Sequence, residues 1–190
     1  FHWHLMRQPA PFPETVMVNN AKLFLDLFLD TWSADRSAFS DEAYAEYLEE
    51  LPNLVPYILQ GKNIICLRTF SKIYGLGGLR IGYGYGDPAL IALLNRVRQP
   101  FNVNSLSQVA AIGALGDLNF LNNCKEANNE GRKQLVEGLV LLGLKVYEGS
   151  ANFVFVQVGK GQELFKKLQA KGIIIRPLDS YDLPEYVRIT

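Results

Sequence analysis

Arg68-Thr69-Phe70-Ser71-Lys72-Ile73-Tyr74-Gly75-Leu76-Gly77-Gly78-Leu79-Arg80 is the stretch on which the reading of this 190-residue chain turns. Just before it, Asn63-Ile64-Ile65-Cys66-Leu67 is short and mostly apolar, which predicts a strand buried on both faces of a parallel sheet. That strand delivers two hydroxyls, Thr69 and Ser71, and one amine, Lys72, into a glycine-rich turn from which Arg80 returns. Two hydroxyls and a guanidinium suit a dianion, because arginine presents a planar fork of donors to phosphate. The glycines let backbone approach a ligand closely. The lysine precedes the glycines, whereas a nucleotide P-loop needs Gly-Lys-Ser/Thr opening a helix. Gly82-Tyr83-Gly84-Tyr85-Gly86 lacks the GxGxxG spacing of a dinucleotide site, and its tyrosines read as packing residues.

An amine beside a phosphate cradle and aromatic side chains points to a lysine that forms a Schiff base with a phosphorylated aldehyde. Pyridoxal phosphate is the common one. Asp41-Glu42-Ala43-Tyr44 adds to this. By itself the acid is a helix N-cap, but beside a pyridoxal site a carboxylate can keep the pyridine nitrogen protonated while a tyrosine hydroxyl tunes the phenolic oxygen.

Periodicity organises the rest of the chain. Residues 1–19, with Pro9, Pro11 and Pro13, read as irregular, and Leu23, Phe24, Leu27 and Phe28 mark an amphipathic helix over 21–31. A second strand is expected at 79–83. Asp87-Pro88 then caps a helix running to about Val97. The small, apolar segment 105–115 predicts a helix packed tightly against a neighbour. A longer, more charged helix follows over 118–142, in which the leucines of 135–144 read as core. Strands are expected at 144–147, 152–158, 172–176 and 186–190, with a helix at 162–170. The composition shift near Asp117 marks the domain boundary.

Nineteen basic and nineteen acidic residues leave no net charge, and the aromatic residues are not interleaved with basic ones, so a nucleic-acid partner is not expected. No apolar run reaches the length of a membrane helix, and Phe1-His2-Trp3-His4 lacks the form of a signal peptide. Cys66 and Cys124 form no CxxC pair. The His2/His4 pair has no third ligand, and no metal site is expected. The chain reads as a soluble, cytoplasmic globular protein in which roughly 70% of the unfolded surface can be buried.

Taken together, Asp41–Tyr44, Arg68–Tyr83, Arg98-Gln99-Pro100-Phe101-Asn102-Val103-Asn104-Ser105 and Leu183-Pro184-Glu185-Tyr186-Val187-Arg188-Ile189-Thr190 resemble the fold-type-I pyridoxal-phosphate aminotransferases. Within them the likeness is greatest to the histidinol-phosphate aminotransferases, over about 41–190. The resemblance implies an α/β fold. Its large cofactor domain, a mostly parallel sheet with helices on both faces, is represented in part by 1–117, with 1–40 atypical. A smaller α+β domain occupies 118–190 and breaks off within a strand. It implies Lys72 as the residue that holds the cofactor and shuttles the proton, Asp41 on the pyridine nitrogen and Tyr44 on the phenolic oxygen. Thr69, Ser71 and Arg80 fall to the cofactor phosphate, and Arg188, with Arg176 as a second candidate, to the substrate anion. It further implies amino-acid and keto-acid substrates, a homodimer, and transamination between histidinol phosphate and 2-oxoglutarate or glutamate.

Family members are about twice as long, and their Asn-Pro-x-x-Pro-x-Gly segment has no counterpart in Arg7–Pro13. The family's first half supplies a glycine-rich loop and an aromatic that stacks on the pyridine, so cofactor affinity below the family's is expected of this chain alone. A phosphothreonine decarboxylase, an aromatic aminotransferase and a non-catalytic fragment are the alternative readings.

Overall fold

Strand β3 (Ile64–Thr69) runs through the centre of the first sheet with Ile65, Cys66 and Leu67 buried. The computed structural model describes residues 14–18, 38–50 and 53–190. On one side β3 pairs in parallel with β2 (Ala38–Asp41), Asp41 lying opposite Leu67. On the other it pairs antiparallel with β4 (Gly82–Gly86), which in turn pairs antiparallel with β1 (Glu14–Val18), giving the order β1-β4-β3-β2. Of the described pairings only β2–β3 therefore has the parallel sense expected for most of the sheet. Between β3 and β4 the twelve residues Phe70–Ile81 hold no crossover helix, only the 3-10 turn Gly77–Leu79, and return the chain antiparallel; a parallel return usually runs through a helix.

Two strand expectations are corrected here. Residues 14–18, read as irregular, form the edge strand β1. The strand expected at 79–83 begins instead at Gly82, because Gly77–Leu79 take a 3-10 turn that Arg80 ends in the left-handed region at φ 51°. The glycines of β4 are a packing requirement. A Cβ on Gly82 would stand 2.6 Å from the Arg68 carbonyl oxygen, and one on Gly86 would stand 2.7 Å from that of Ile64. Gly82, Gly84 and Gly86 are buried while Tyr83 and Tyr85, on the opposite face, are half-buried.

Helix α1 (Val55–Leu59), for which the sequence reading held no expectation, has Pro56 in its first turn and buries Ile58. Helix α2 (Pro88–Val97) begins as its sequence predicts, with the Asp87 carboxylate accepting from the N–H groups of Ala89 at 2.9 Å and Leu90 at 3.3 Å. It buries Leu90, Ile91 and Leu94. Helix α3 (Ser105–Gly116) is capped by Asn104, which accepts from Ser107 N–H at 2.8 Å. The tight packing expected for this helix is made by one face, with Ser107 and Ala111 buried and Ala114 packed beside them, while Leu106, Val109 and Ile112 are exposed. Ala111 joins Phe70, Ile81 and Val103 in a core cluster flanked by Tyr74, Leu76, Leu79 and Tyr83.

The chain divides into two compact units between Leu118 and Asn119. The second holds nearly all of helix α4 (Leu118–Leu141), followed by β5 (Lys145–Tyr147), β6 (Val154–Gln157), helix α5 (Gly161–Gln169), β7 (Arg176–Leu178) and β8 (Leu183–Ile189). Its sheet is antiparallel, in the order β5-β6-β8-β7. Val154, Val156, Ile175 and Val187 form the core, against which Leu135, Leu139, Leu164 and Leu168 pack. The strand expected at 172–176 begins only at Arg176. Residues up to Ile173 are used to close α5, with Gly172 at φ 80° and Ile173 N–H donating to the Leu168 carbonyl. Leu141 and Leu142, expected in the core, are exposed; Leu135 and Leu139 share the face that packs on the sheet. The helix expected at 21–31 lies outside the described residues.

A Gly86→Ala chain must move a β4 backbone that has no room for the added carbon. It is expected to lose roughly 1–3 kcal/mol of stability, read as a lower urea midpoint by circular dichroism.

Candidate active site

The end of β3 and the turn after it gather four of the residues singled out in the sequence. Phe70 is buried and its N–H donates to the Ile81 carbonyl, which pins the two ends of the turn together. Within the turn Gly75 N–H donates to the Lys72 carbonyl and Leu76 N–H to that of Phe70, both at 2.9 Å, with Gly75 at φ 71°. A Cβ on Gly77 would lie 3.3 Å from the Ser71 carbonyl oxygen, so the turn folds closely over itself.

On this frame Thr69 Oγ1 accepts from Ser71 N–H at 3.0 Å, which leaves the threonine hydroxyl proton free to donate. Arg80 Nη1 donates to the Gly77 carbonyl at 2.8 Å and to Ser71 Oγ at 3.4 Å. Among the described residues its Nε and Nη2 carry no hydrogen bond. Two hydroxyls and a half-engaged guanidinium thus sit on one exposed-to-half-buried turn, the donor set that a phosphate dianion needs. Lys72 Nζ lies 5.1 Å from the centroid of the Tyr44 ring, so a residue far back in the chain is brought to the amine. Asp41 is the last residue of β2, in register with Leu67 near the end of β3 from which this turn emerges.

The two arginine candidates for a substrate anion lie in the second unit. Arg176 of β7 and Arg188 of β8 are directly opposed in register. Their surroundings differ. The guanidinium of Arg188 lies 4.9 Å from the Phe153 ring centroid, and its Nε is buried without a hydrogen-bond partner among the described residues. Arg176 is exposed and lies 5.8 Å from the ring of Tyr181. A buried, unsatisfied guanidinium N–H is costly unless an acceptor reaches it, and of the two arginines Arg188 has such a group.

Residues 29–190 match the model of the aminotransferase class I and II family. The chain belongs to that family. Relatives include histidinol-phosphate aminotransferase 1 of Cupriavidus pinatubonensis, 45% identical over 172 residues that make up 87% of this chain and 46% of the relative. The histidinol-phosphate aminotransferase of Moorella thermoacetica is 45% identical over 170 residues, 87% of this chain and 44% of the relative. The crystal structure of histidinol-phosphate aminotransferase from Sinorhizobium meliloti in complex with pyridoxal-5'-phosphate superposes with a TM-score of 0.74 at 30% identity, covering 87% of this chain and 47% of that one. The chain thus spans about half the length of the curated relatives it matches. The fold is that of the fold-type-I aminotransferases.

Beside the lysine turn, this aminotransferase chain holds a buried polar cluster that the sequence reading passed over. Arg68 Nε and Nη2 each lie 2.6 Å from Glu42 Oε2, and Nη1 lies 3.1 Å from Glu46 Oε1. Tyr85 donates its hydroxyl to Glu42 Oε2 at 3.1 Å. The signal was present in the sequence: an arginine in a buried strand must have partners, and Glu42 and Glu46 are spaced one helical turn apart. Burial works to lower the Arg68 pKa, but the two glutamates outweigh it and hold the guanidinium above its ordinary value. Burial pushes the Cys66 thiol up to about 11 and the Tyr83 phenol up to about 12, and raises Tyr85 also. Among the described residues no group of side chains could hold a metal ion, and no helix is long and apolar enough to cross a membrane.

These raised values fix the sign of an alkaline effect. The folded state keeps protons on Cys66 and Tyr83 that the unfolded chain releases near 9 and 10, so their contribution to stability is full below pH 9. It is lost as pH rises through about 11 and about 12. Thermal melts between pH 8 and 12 are expected to show a falling midpoint, with the fall reduced in a Cys66→Ala chain.

Proposed function

We propose that this chain carries the lysine turn of a pyridoxal-phosphate-dependent aminotransferase that exchanges the amino group between L-histidinol phosphate and 2-oxoglutarate or glutamate. The observation that carries the reading is the meeting of the Lys72 amine with the Tyr44 ring beside Thr69, Ser71 and Arg80. The likeness to histidinol-phosphate aminotransferases supports the substrate class. The donor set fits the cofactor's phosphate, and the uncommitted nitrogens of Arg80 are the reason. When bound, pyridoxal 5'-phosphate supplies an aldehyde that takes up an amino group and a ring that withdraws electrons from the substrate carbon.

The chain's own residues supply the rest. Lys72 Nζ is the nucleophile that holds the cofactor between turnovers and, once released, takes the proton from the substrate carbon and returns it. Asp41 is assigned to the pyridine nitrogen and Tyr44 Oη to the phenolic oxygen. Thr69, Ser71 and Arg80 anchor the phosphate, and the glycines let backbone stand close to it. Arg188, with its unpaired Nε held against Phe153, takes the carboxylate or phosphate of the substrate. Residues 1–117 are assigned to the cofactor-binding domain and 118–190 to the small domain of a cytoplasmic homodimer.

The purified chain with added pyridoxal phosphate is expected to give a visible absorption band that borohydride bleaches and that Lys72→Ala lacks. Glutamate formation from histidinol phosphate and 2-oxoglutarate then tests the substrates. A folded chain that gives no Lys72-dependent band overturns the assignment.

A further inference from the structure

Glu42 and Glu46 lie on either side of Tyr44, and both of their carboxyl groups reach the same guanidinium on β3. We propose that Glu42, Arg68 and Glu46 form a clamp that positions the Tyr44 ring beneath the Lys72 amine; the inference deepens the proposed function and rests on it for the role of Tyr44.

Arg68 stands next to Thr69 and just ahead of Lys72, and every nitrogen of its guanidinium is engaged by one of the two glutamates. All three side chains are nearly out of solvent, at 10% exposure for Arg68, 3% for Glu42 and 6% for Glu46. Glu42 is held further by the Tyr85 hydroxyl, by Ser40 Oγ at 3.4 Å, and by its own N–H donating to the Leu67 carbonyl at 2.9 Å. Glu46 lies in the 3-10 turn Ala45–Tyr47, which follows Tyr44 directly and is closed by the N–H groups of Ala45, Tyr47 and Leu48 on the carbonyls of Glu42, Tyr44 and Ala45. The segment carrying Tyr44 is thereby tied at both ends to the strand that delivers Lys72.

Stability alone does not account for this arrangement. Burying two carboxyl groups against one guanidinium costs desolvation that the attraction barely returns, and apolar side chains of similar size often serve a fold as well. The backbone pairing of β2 with β3 already secures the strand as far as Asp41. Past Glu42 the local bonds of Ala45 N–H to the Glu42 carbonyl and of Tyr47 N–H to the Tyr44 carbonyl shape the turn, and the two carboxylates on Arg68 tie that turn to β3. Directional, charge-assisted bonds from a planar fork fix geometry as well as adding energy, which apolar contacts do less well. Arg68, Glu42 and Glu46 are positioning residues, and they act through Tyr44.

The test reads the Tyr44–Lys72 approach without cofactor. Lysines of the full chain are reductively methylated with ¹³C-formaldehyde, and the Lys72 methyl resonance is assigned by its loss in Lys72→Arg. In the unaltered chain it is expected upfield of the other lysines because of the Tyr44 ring, and Tyr44→Ala should move it to their position. Glu46→Gln, which keeps the size of the side chain, and Arg68→Lys, which keeps the charge but not the fork, are expected to move it most of the way to the Tyr44→Ala position. Leu94→Ala, which weakens the same unit elsewhere, should leave it in place. If the resonance stays upfield in both clamp variants while circular dichroism shows them folded, the clamp is overturned. It is overturned equally if Leu94→Ala displaces the resonance as far, since general loosening would then explain the shift. A chain that keeps the clamp-dependent shift but forms no Lys72-dependent band with pyridoxal phosphate retains the positioning device and loses the proposed function.

Discussion

The helix-free turn between β3 and β4 is the constraint on which the first unit is built. The chain reverses from β3 into β4 over Phe70–Ile81, and the reversal is closed by Phe70 N–H on the Ile81 carbonyl and by packing of both side chains in one core cluster. Everything polar in the turn is left outside that closure. Thr69, Ser71, Lys72 and Arg80 are displayed because Phe70, Ile73 and Ile81 take the interior positions. The cradle is the outer surface of a core-forming turn, and its geometry is inherited from the apolar residues that alternate with it.

The same economy explains β4. Close approach to β3 excludes any Cβ at Gly82 and Gly86, and the tyrosines between them point to the other face, where Tyr83 stacks near Phe70 and Tyr85 reaches Glu42. The strand is narrow on the side that packs and aromatic on the side that serves the polar cluster. Arg68 lies opposite Tyr83 in register and one residue before Thr69. Core, cluster and cradle are therefore neighbours along a few residues of two strands.

Much of this was legible from local chemistry. The Asp87-Pro88 and Asn104 starts of α2 and α3 are caps made by side chains acting on their own nearest N–H groups, and short-range events of this kind are written in adjacent residues. The run at Ile64–Leu67 and the hydroxyl-amine-glycine turn were legible for the same reason. The misplaced strands at 79–83 and 172–176 failed where a positive φ, at Arg80 and at Gly172, spends residues on a turn before pairing can begin. Nothing local distinguishes those residues from the first residues of a strand. The exposed faces of Leu106, Val109 and Ile112, and of Leu141 and Leu142, were misread because apolar periodicity marks a face without saying whether anything covers it.

By itself the sequence determined which groups are available: an amine among hydroxyls and glycines, an arginine to complete an anion site, and an acid and a tyrosine spaced to serve a pyridine ring. Tertiary structure alone decided which of them meet. The approach of Tyr44 to Lys72, the opposition of Arg176 and Arg188, and the tie of two glutamates to Arg68 all join residues from different elements. Such pairings depend on strand register and on the course of a turn, which are set by the sum of many contacts and are carried by no single stretch of residues.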